Sequence, residues 1–249
     1  MSKIALITGA SRGIGAATAR RLADEGYDVC VNYRRDKAGA DAVLRAIAAD
    51  HPVRAIAVQA DVAREDEVER LFRAVDEQLG RVSAMVNNAA ILRPQMRVAE
   101  MDAQRINDVF ASNVTGVFTC CREAVRRMSR AHGGEGGAIV NVSSVAARLG
   151  APNEYVDYAA SKGAVDALTI GLAKEVAAEG IRVNCVRPGF IYTDMHADGG
   201  EPGRVDRIKA GLPLGRGGQP HEVAAAVAWL LSDDAAYTTG TFIEVAGGR

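Results

Sequence analysis

The chain has 249 residues, with 30 basic and 31 acidic side chains, a formal net charge of −1 at pH 7 and 48% hydrophobic residues. That length is enough to bury one sizeable α/β core. The interleaved charge lacks the basic stripe that a nucleic-acid binder needs to neutralise phosphates. The four cysteines, Cys30, Cys120, Cys121 and Cys185, form no CxxC pair and show no zinc-ligand spacing with histidine, so neither a metal site nor a disulfide framework is expected. The first residues enter a strand almost at once, unlike a signal peptide, and no apolar run approaches the roughly 20 residues that cross a bilayer. The expectation is a cytoplasmic protein without nucleic-acid or membrane partners.

In chain order, short β-branched runs alternate with amphipathic stretches. A strand is predicted near Ile4–Thr8, then helix Ile14–Glu25, strand Val29–Tyr33, helix Lys37–Ala49, strand Arg54–Val58, helix Glu65–Leu79 and strand Ala84–Asn87. The second half predicts a long helix Met101–Ala131, strand Ala138–Val142, helix Tyr155–Glu179, strand Val183–Val186, helix His221–Ser232 and strand Phe242–Val245. Strands alternating with helices imply right-handed crossovers and a parallel sheet covered on both faces. The fold class is therefore α/β: a single-domain, doubly wound, Rossmann-like sheet of about seven strands, with ligands beyond the carboxyl ends of the strands. Residues 190–219 are irregular and carry Gly199, Gly200, Pro202, Gly203, Pro213 and Gly217. Such long loops are usually functional or disordered, so this one is read as a substrate lid or a linker.

The first strand runs into Thr8-Gly9-Ala10-Ser11-Arg12-Gly13-Ile14-Gly15 and then directly into an apolar-periodic helix. Glycines let the backbone turn tightly and approach a pyrophosphate. The helix start adds unpaired N–H groups and the positive end of a dipole. The spacing is GxxxGxG and not the usual GxGxxG, which leaves open a glycine turn needed only for packing. An NAD site wants an acidic residue at the end of the second strand. Here Asn32-Tyr33-Arg34-Arg35 stands there, and the nearest carboxylate is Asp36. Arg12 and Arg34 together would favour a ribose 2′-phosphate through charge-assisted hydrogen bonds. NADP(H) is thus preferred, with NAD(H) second; the alternative makes both arginines plain surface charges.

Tyr158 and Lys162 share one helix face, and a cation beside a phenol lowers a pKa that starts near 10. That would make Tyr158 an acid–base near neutral pH, although a tyrosine packed on a lysine stem gives the same spacing. Ser143 and Ser144 follow a strand, where a hydroxyl could bond a reacting oxygen. Asn113 falls on or beside an apolar stripe of Ile106, Phe110, Val114, Val117 and Cys121, so its amide must find partners, catalytic or structural. Asn87 and Asn88, at the end of the fourth strand, could cap the next segment or touch a cofactor.

With these motifs in order, the chain resembles the short-chain dehydrogenase/reductase family over essentially its whole length. The matching features are Thr8–Gly15, Asp61-Val62, Asn87-Asn88-Ala89-Ala90, Asn113, Ser144, Tyr158 with Lys162, and Pro188-Gly189 with Thr193. The resemblance implies a catalytic tetrad of Asn113, Ser144, Tyr158 and Lys162. Tyr158 would give its proton to the carbonyl oxygen while Ser144 steadies it. Lys162 would hold the nicotinamide ribose and lower the Tyr158 pKa, and Asn113 would anchor a water in a proton relay. Asp61 and Val62 would flank the adenine, and Asn88, with Ala89 and Ala90, the adenosine side of the sheet edge. Pro188, Gly189, Ile191 and Thr193 would meet the nicotinamide. Ala90 stands where the family more often has glycine. The stretch from Ser144 to Tyr158 is about one residue longer than the family pattern, which keeps Ser143 as a second candidate.

The implied function is hydride transfer between NADP(H) and a small-molecule carbonyl or secondary alcohol. Other readings are a 3-oxoacyl thioester reductase, an epimerase or dehydratase on a related scaffold, and a non-catalytic dinucleotide-sensing regulator. Arg126, Arg127, Arg130 and Lys174 form either a docking patch for an acyl-carrier protein or a solvated helix face. His196, Asp198 and Glu201 of the lid contact a polar substrate or face water. The family further implies a homotetramer, or failing that a dimer, built on the two long helices, with Thr241–Arg249 sealing a second interface.

Overall fold

The structure, a computed structural model, describes residues 3–249. The strands are β1 (Ile4–Ile7), β2 (Asp28–Tyr33), β3 (Ala55–Gln59), β4 (Ala84–Asn87), β5 (Gly137–Val142), β6 (Ile181–Pro188) and β7 (Phe242–Val245). They form one seven-stranded sheet in the order β3-β2-β1-β4-β5-β6-β7. Every pairing is parallel, with Leu6 beside Cys30 and Met85, and Asn87 beside Asn141. The order reverses between β1 and β4, so the loops after these strands diverge and open a crevice at the carboxyl edge.

The helices are α1 (Gly13–Asp24), α2 (Lys37–Asp50), α3 (Glu65–Gln78), α4 (Ala103–Phe110), α5 (Gly116–Met128), α6 (Ala146–Leu149), α7 (Val156–Val176), α8 (Met195–Asp198), α9 (Arg204–Ile208) and α10 (Pro220–Leu231). Two apolar layers cover the sheet. One gathers Ala5, Ile7, Val29 and Val31 with Leu22, Val43, Ile47 and Val227 from α1, α2 and α10. The other gathers Leu6, Met85 and Ile139 with Leu71, Phe72, Cys120, Met128 and Val165 from α3, α5 and α7. Burial on both faces explains why the strands read as continuous apolar runs. All four cysteines are free and buried. Among the described residues, no helix is long and apolar enough to cross a membrane, and no three His, Cys, Asp or Glu gather around a metal-sized site.

The structure departs from the sequence reading in three places. The predicted helix Met101–Ala131 is α4 and α5 joined by a π-helical turn, Ala111–Thr115. The wide turn shifts the buried face, so Val109, Ser112 and Asn113 point inward while Ile106 is 38% exposed. β6 is longer than expected, and its added residues Arg187 and Pro188 carry the chain past β5 to the site. Residues 190–219, read as irregular, contain the short α8 and α9, and a parallel bridge between Ile191 and Gly218 ties their two ends together.

Candidate active site

The loop after β1 forms the floor of the crevice. Gly9 has φ +62°, and a Cβ there would stand 2.9 Å from the Ala89 Cα, so only glycine permits this approach of loop to loop. The Gly9 N–H donates to Asn32 Oδ1 at 3.2 Å, while Asn88 Nδ2 donates to the carbonyls of Thr8 and Gly9 at 2.9 and 3.0 Å. Helix α1 starts immediately afterwards with no side-chain cap and no acid in its first turn. Its orphan N–H groups and positive dipole end therefore remain for an anion, which is the cradle a dinucleotide pyrophosphate fits.

A cleft of about 640 Å³ opens above this floor. Gly9, Ser11, Arg12, Gly13, Ile14, Asn32, Arg34, Asp61, Val62, Asn88, Ala89, Ala90 and Thr193 all line it. Asp36, the first carboxylate after β2, caps α2 by accepting from Gly39 N–H at 2.9 Å. Arg34 and Arg12 do reach the cleft, but each has a carboxylate partner: Arg34 Nε lies 2.9 Å from Asp61, and Arg12 pairs with Asp198 of the lid. Two expected cofactor residues serve the fold instead. Tyr33 packs into the core, and Gly15 gives clearance to Asn88, whose Nδ2 would lie 2.6 Å from an added Cβ.

A second cavity, of about 450 Å³, is lined by Ser144, Tyr158 and Lys162 together with Pro188, Gly189 and Ile191. It shares Ile14, Asn88, Ala90, Leu92, Thr193 and Met195 with the cleft, so the two form one continuous space. β5 delivers the serines, and their directions differ. Ser143 turns inward and donates to the Lys162 carbonyl at 3.2 Å, whereas Ser144 faces the cavity beside the Tyr158 phenol. The loop before α7 turns tightly, with φ +43° at Ala151 and +63° at Asn153, to bring Tyr155 and then Tyr158 over the cavity.

Burial dominates the electrostatics. The Tyr158 phenol is pushed up to about 12 by desolvation, and the Ser144 hydroxyl opposes that rise. Desolvation pulls the Lys162 ammonium down to about 8. The expected lowering of the phenol by Lys162 is not seen, since burial outweighs it. Lys162 Nζ donates to the Val142 carbonyl at 2.7 Å and stands 5.6 Å from the centre of the Tyr158 ring. Asn113 lies outside the cavity wall and is fully buried in the π turn, where it holds the backbone of Ile91. π turns of this kind often mark functional positions.

The lid residues divide. His196 lines the catalytic cavity, Asp198 lies on the cofactor cleft, and Glu201 pairs with Arg207 and Gln95. Arg126 and Arg127 are engaged by Glu123 and Asp76, which fits a charged helix face. Sequence reasoning missed Arg204 and Arg249, both on the cavity wall. Arg204 starts the short α9 and Arg249 follows β7; neither belongs to a motif, so only the fold brings them there.

Comparison with known proteins shows the family to which this fold belongs. The family model described as Enoyl-(Acyl carrier protein) reductase matches residues 9–249. The chain is 60% identical over 246 residues to an uncharacterized oxidoreductase, YgfF, of Escherichia coli, covering 99% of each. It is 43% identical over 248 residues to the 3-oxoacyl-[acyl-carrier-protein] reductase FabG of Staphylococcus aureus, covering 100% of this chain and 98% of that one. Among solved structures, a short chain dehydrogenase from Burkholderia cenocepacia in complex with NADP superposes with a TM-score of 0.90 at 36% identity, covering 99% of this chain and 97% of that one. The chain belongs to the short-chain dehydrogenase/reductase family of oxidoreductases.

Proposed function

We propose that the protein transfers a hydride between NADP(H) and the carbonyl or secondary alcohol carbon of a small molecule, with Tyr158 as the general acid–base. The observation that carries this reading is the continuity of two spaces: an anion cradle at the start of α1 opens directly into a cavity walled by Ser144, Tyr158 and Lys162. Arg12 and Arg34 bind the ribose 2′-phosphate by exchanging their carboxylate partners for it, while Asp36, which also lines the cleft, is held by its cap on α2. The Burkholderia cenocepacia relative in complex with NADP supports the same choice. The nicotinamide supplies the hydride when bound.

The chain's own residues handle the proton. Burial keeps the Tyr158 phenol protonated at neutral pH, which suits it to donate to a carbonyl oxygen as the hydride arrives. Ser144 hydrogen-bonds the same oxygen and holds the carbonyl against the phenol. Lys162 positions the ribose hydroxyls and provides a positive charge that favours the phenolate left after donation. Asn113 fixes α4, the π turn and α7 relative to one another, and orders a water for reprotonation. Residues 190–219 act as the substrate lid. The protein works in the cytoplasm as a homotetramer.

The test is a panel of carbonyls and alcohols with both cofactors, run on the wild type and on Tyr158→Phe. The variant keeps the ring and deletes the proton, so turnover falls by roughly 10²–10⁴ while NADPH binding persists. Near wild-type turnover in Tyr158→Phe would reject the mechanism, and a wild-type preference for NADH would reject the cofactor.

A further inference from the structure

Three cationic side chains, Lys162, Arg204 and Arg249, line the catalytic cavity against a single carboxylate side chain, Glu154. Lys162 gives one of its N–H groups to the Val142 carbonyl and serves the ribose in the proposed mechanism. Arg204, on α9, is only 7% exposed. Its Nη2 donates to Glu154 Oε2 at 2.5 Å, but its Nη1 is buried without a hydrogen-bond partner. The nearest further carboxylate, Glu201, stands 3.9 Å from Nη1, beyond hydrogen-bond reach. The guanidinium is held over the rings of Tyr155 at 4.8 Å and Phe190 at 5.4 Å. Arg249 lies over the same Phe190 ring at 5.0 Å and makes no ion pair among the described residues.

Arg204 thus keeps one N–H without an acceptor beside the cavity it lines. A buried guanidinium N–H without an acceptor is costly, and the native interior rarely tolerates one unless something else fills the gap. Glu154 cannot satisfy both arginines, because Arg207 also approaches its other oxygen, at 3.5 Å. The planar guanidinium fork fits a carboxylate in geometry and in charge. Arg204, Arg249 and Tyr158 line the same cavity of about 450 Å³, so one compact molecule in it can meet both the guanidiniums and the phenol.

We propose that the substrate is a carbonyl or alcohol compound that also bears a carboxylate, and that Arg204 and Arg249 bind this carboxylate. The inference rests on the hydride-transfer reading for the identity of the reacting carbon, but the anion site can be tested without turnover. The protein saturated with NADP⁺, which has no hydride to give, is titrated calorimetrically with acetoacetate and with 4-oxopentanoate, each beside its methyl ester. At least one acid should bind ten or more times tighter than its ester. That preference should vanish in Arg249→Ala, which alters an exposed residue, and in Arg204→Gln. An ester or a neutral 3-oxoacyl thioester binding as tightly as the acids, no binding by either acid at millimolar concentration, or a preference that survives in Arg249→Ala would each overturn the proposal. Adding NADPH to the wild type then separates the two readings. An acid that binds tightly but is not reduced leaves the carboxylate site standing and removes the hydride reading.

Discussion

Asn113 and Ile91 are joined by a reciprocal pair of hydrogen bonds. The Ile91 N–H donates to Asn113 Oδ1 at 2.8 Å, and Asn113 Nδ2 donates back to the Ile91 carbonyl at 3.0 Å. The same Nδ2 reaches Ser161 Oγ at 3.2 Å, and Ser161 Oγ donates to the Tyr158 carbonyl at 2.7 Å. Asn113 therefore ties the loop after β4 to the helix that carries the phenol. Replacing it with alanine orphans the partly buried Ile91 groups, at about 1–3 kcal/mol each. Asn113→Ala should lower the unfolding temperature by several degrees, at about 2–4 °C per kcal/mol for a chain of this size. An unchanged melting curve would show that the amide does not brace the loop.

Lys162 gives a pH signature in stability. Its folded pKa of about 8 lies below the ordinary 10.5 because burial disfavours the ammonium. Between those values the unfolded chain binds a proton that the folded chain does not, so this group makes stability rise with pH. Its burial costs the fold most below about pH 8, by about 3 kcal/mol at the outside, and the cost fades toward pH 10.5. Tyr158 has the opposite sign: its folded pKa is raised, so its contribution falls once the unfolded phenol ionises above about 10. Urea unfolding of the wild type and of Lys162→Met should show the variant's relative advantage shrinking from pH 8 to pH 10. A difference independent of pH would mean that Lys162 titrates normally in the fold.

Cofactor choice should respond to the cleft arginines. Arg34→Ala and Arg12→Ala should each weaken NADPH about tenfold or more and leave NADH nearly unchanged, since a charged hydrogen bond contributes about 1.5–3 kcal/mol. Asp198→Asn should act in the other direction, because it removes a carboxylate that competes for Arg12. Fluorescence titration with both nucleotides checks all three. Equal losses for NADPH and NADH would place the arginines away from the 2′-phosphate.

Phe118 on α5 and Ile170 on α7 are 50% and 44% exposed. If these faces meet in a homotetramer, light scattering should give about four times the 26.2 kDa chain mass. Phe118→Glu combined with Ile170→Glu should then reduce that mass. A monomer in the wild type at micromolar concentration would rule out the assembly.

The strand order and the nucleotide loop were legible because both are written locally. β-branched runs mark the strands, and the glycines from Gly9 to Gly15 leave little choice of backbone. Local position and helical spacing brought out Ser143, Ser144, Tyr158 and Lys162 as candidates, and the family resemblance chose Ser144 and the Tyr158–Lys162 pair among the readings left open. Asn113 was named, but not its geometry: a steady 3.6-residue period cannot show a π turn, so the stripe holds after the turn, where Val117 and Cys121 are core, and fails before it, where Ile106 is exposed. Tyr33 was misassigned because sequence does not reveal which way a side chain leaves a strand end. Arg204 and Arg249 were invisible because their placement depends on residues 190–219 folding back over the sheet. The phenol's pKa was also out of reach, since it depends on burial more than on the neighbouring lysine.

The wide turn at Ala111–Thr115 sets the indexing of everything that follows it in α5. An α-helix advances about 100° per residue. The turn houses one residue more than a regular helix would, so deleting a single residue between 111 and 115 would let the helix run on regularly with α5 still facing the sheet. Val117, Cys121, Ala124 and Met128 would keep their places in the core, and the loss would fall on the buried seat of Asn113. The same one-codon gap inside α5, where no extra residue is housed, would instead turn everything after it by about 100° and scramble the packing.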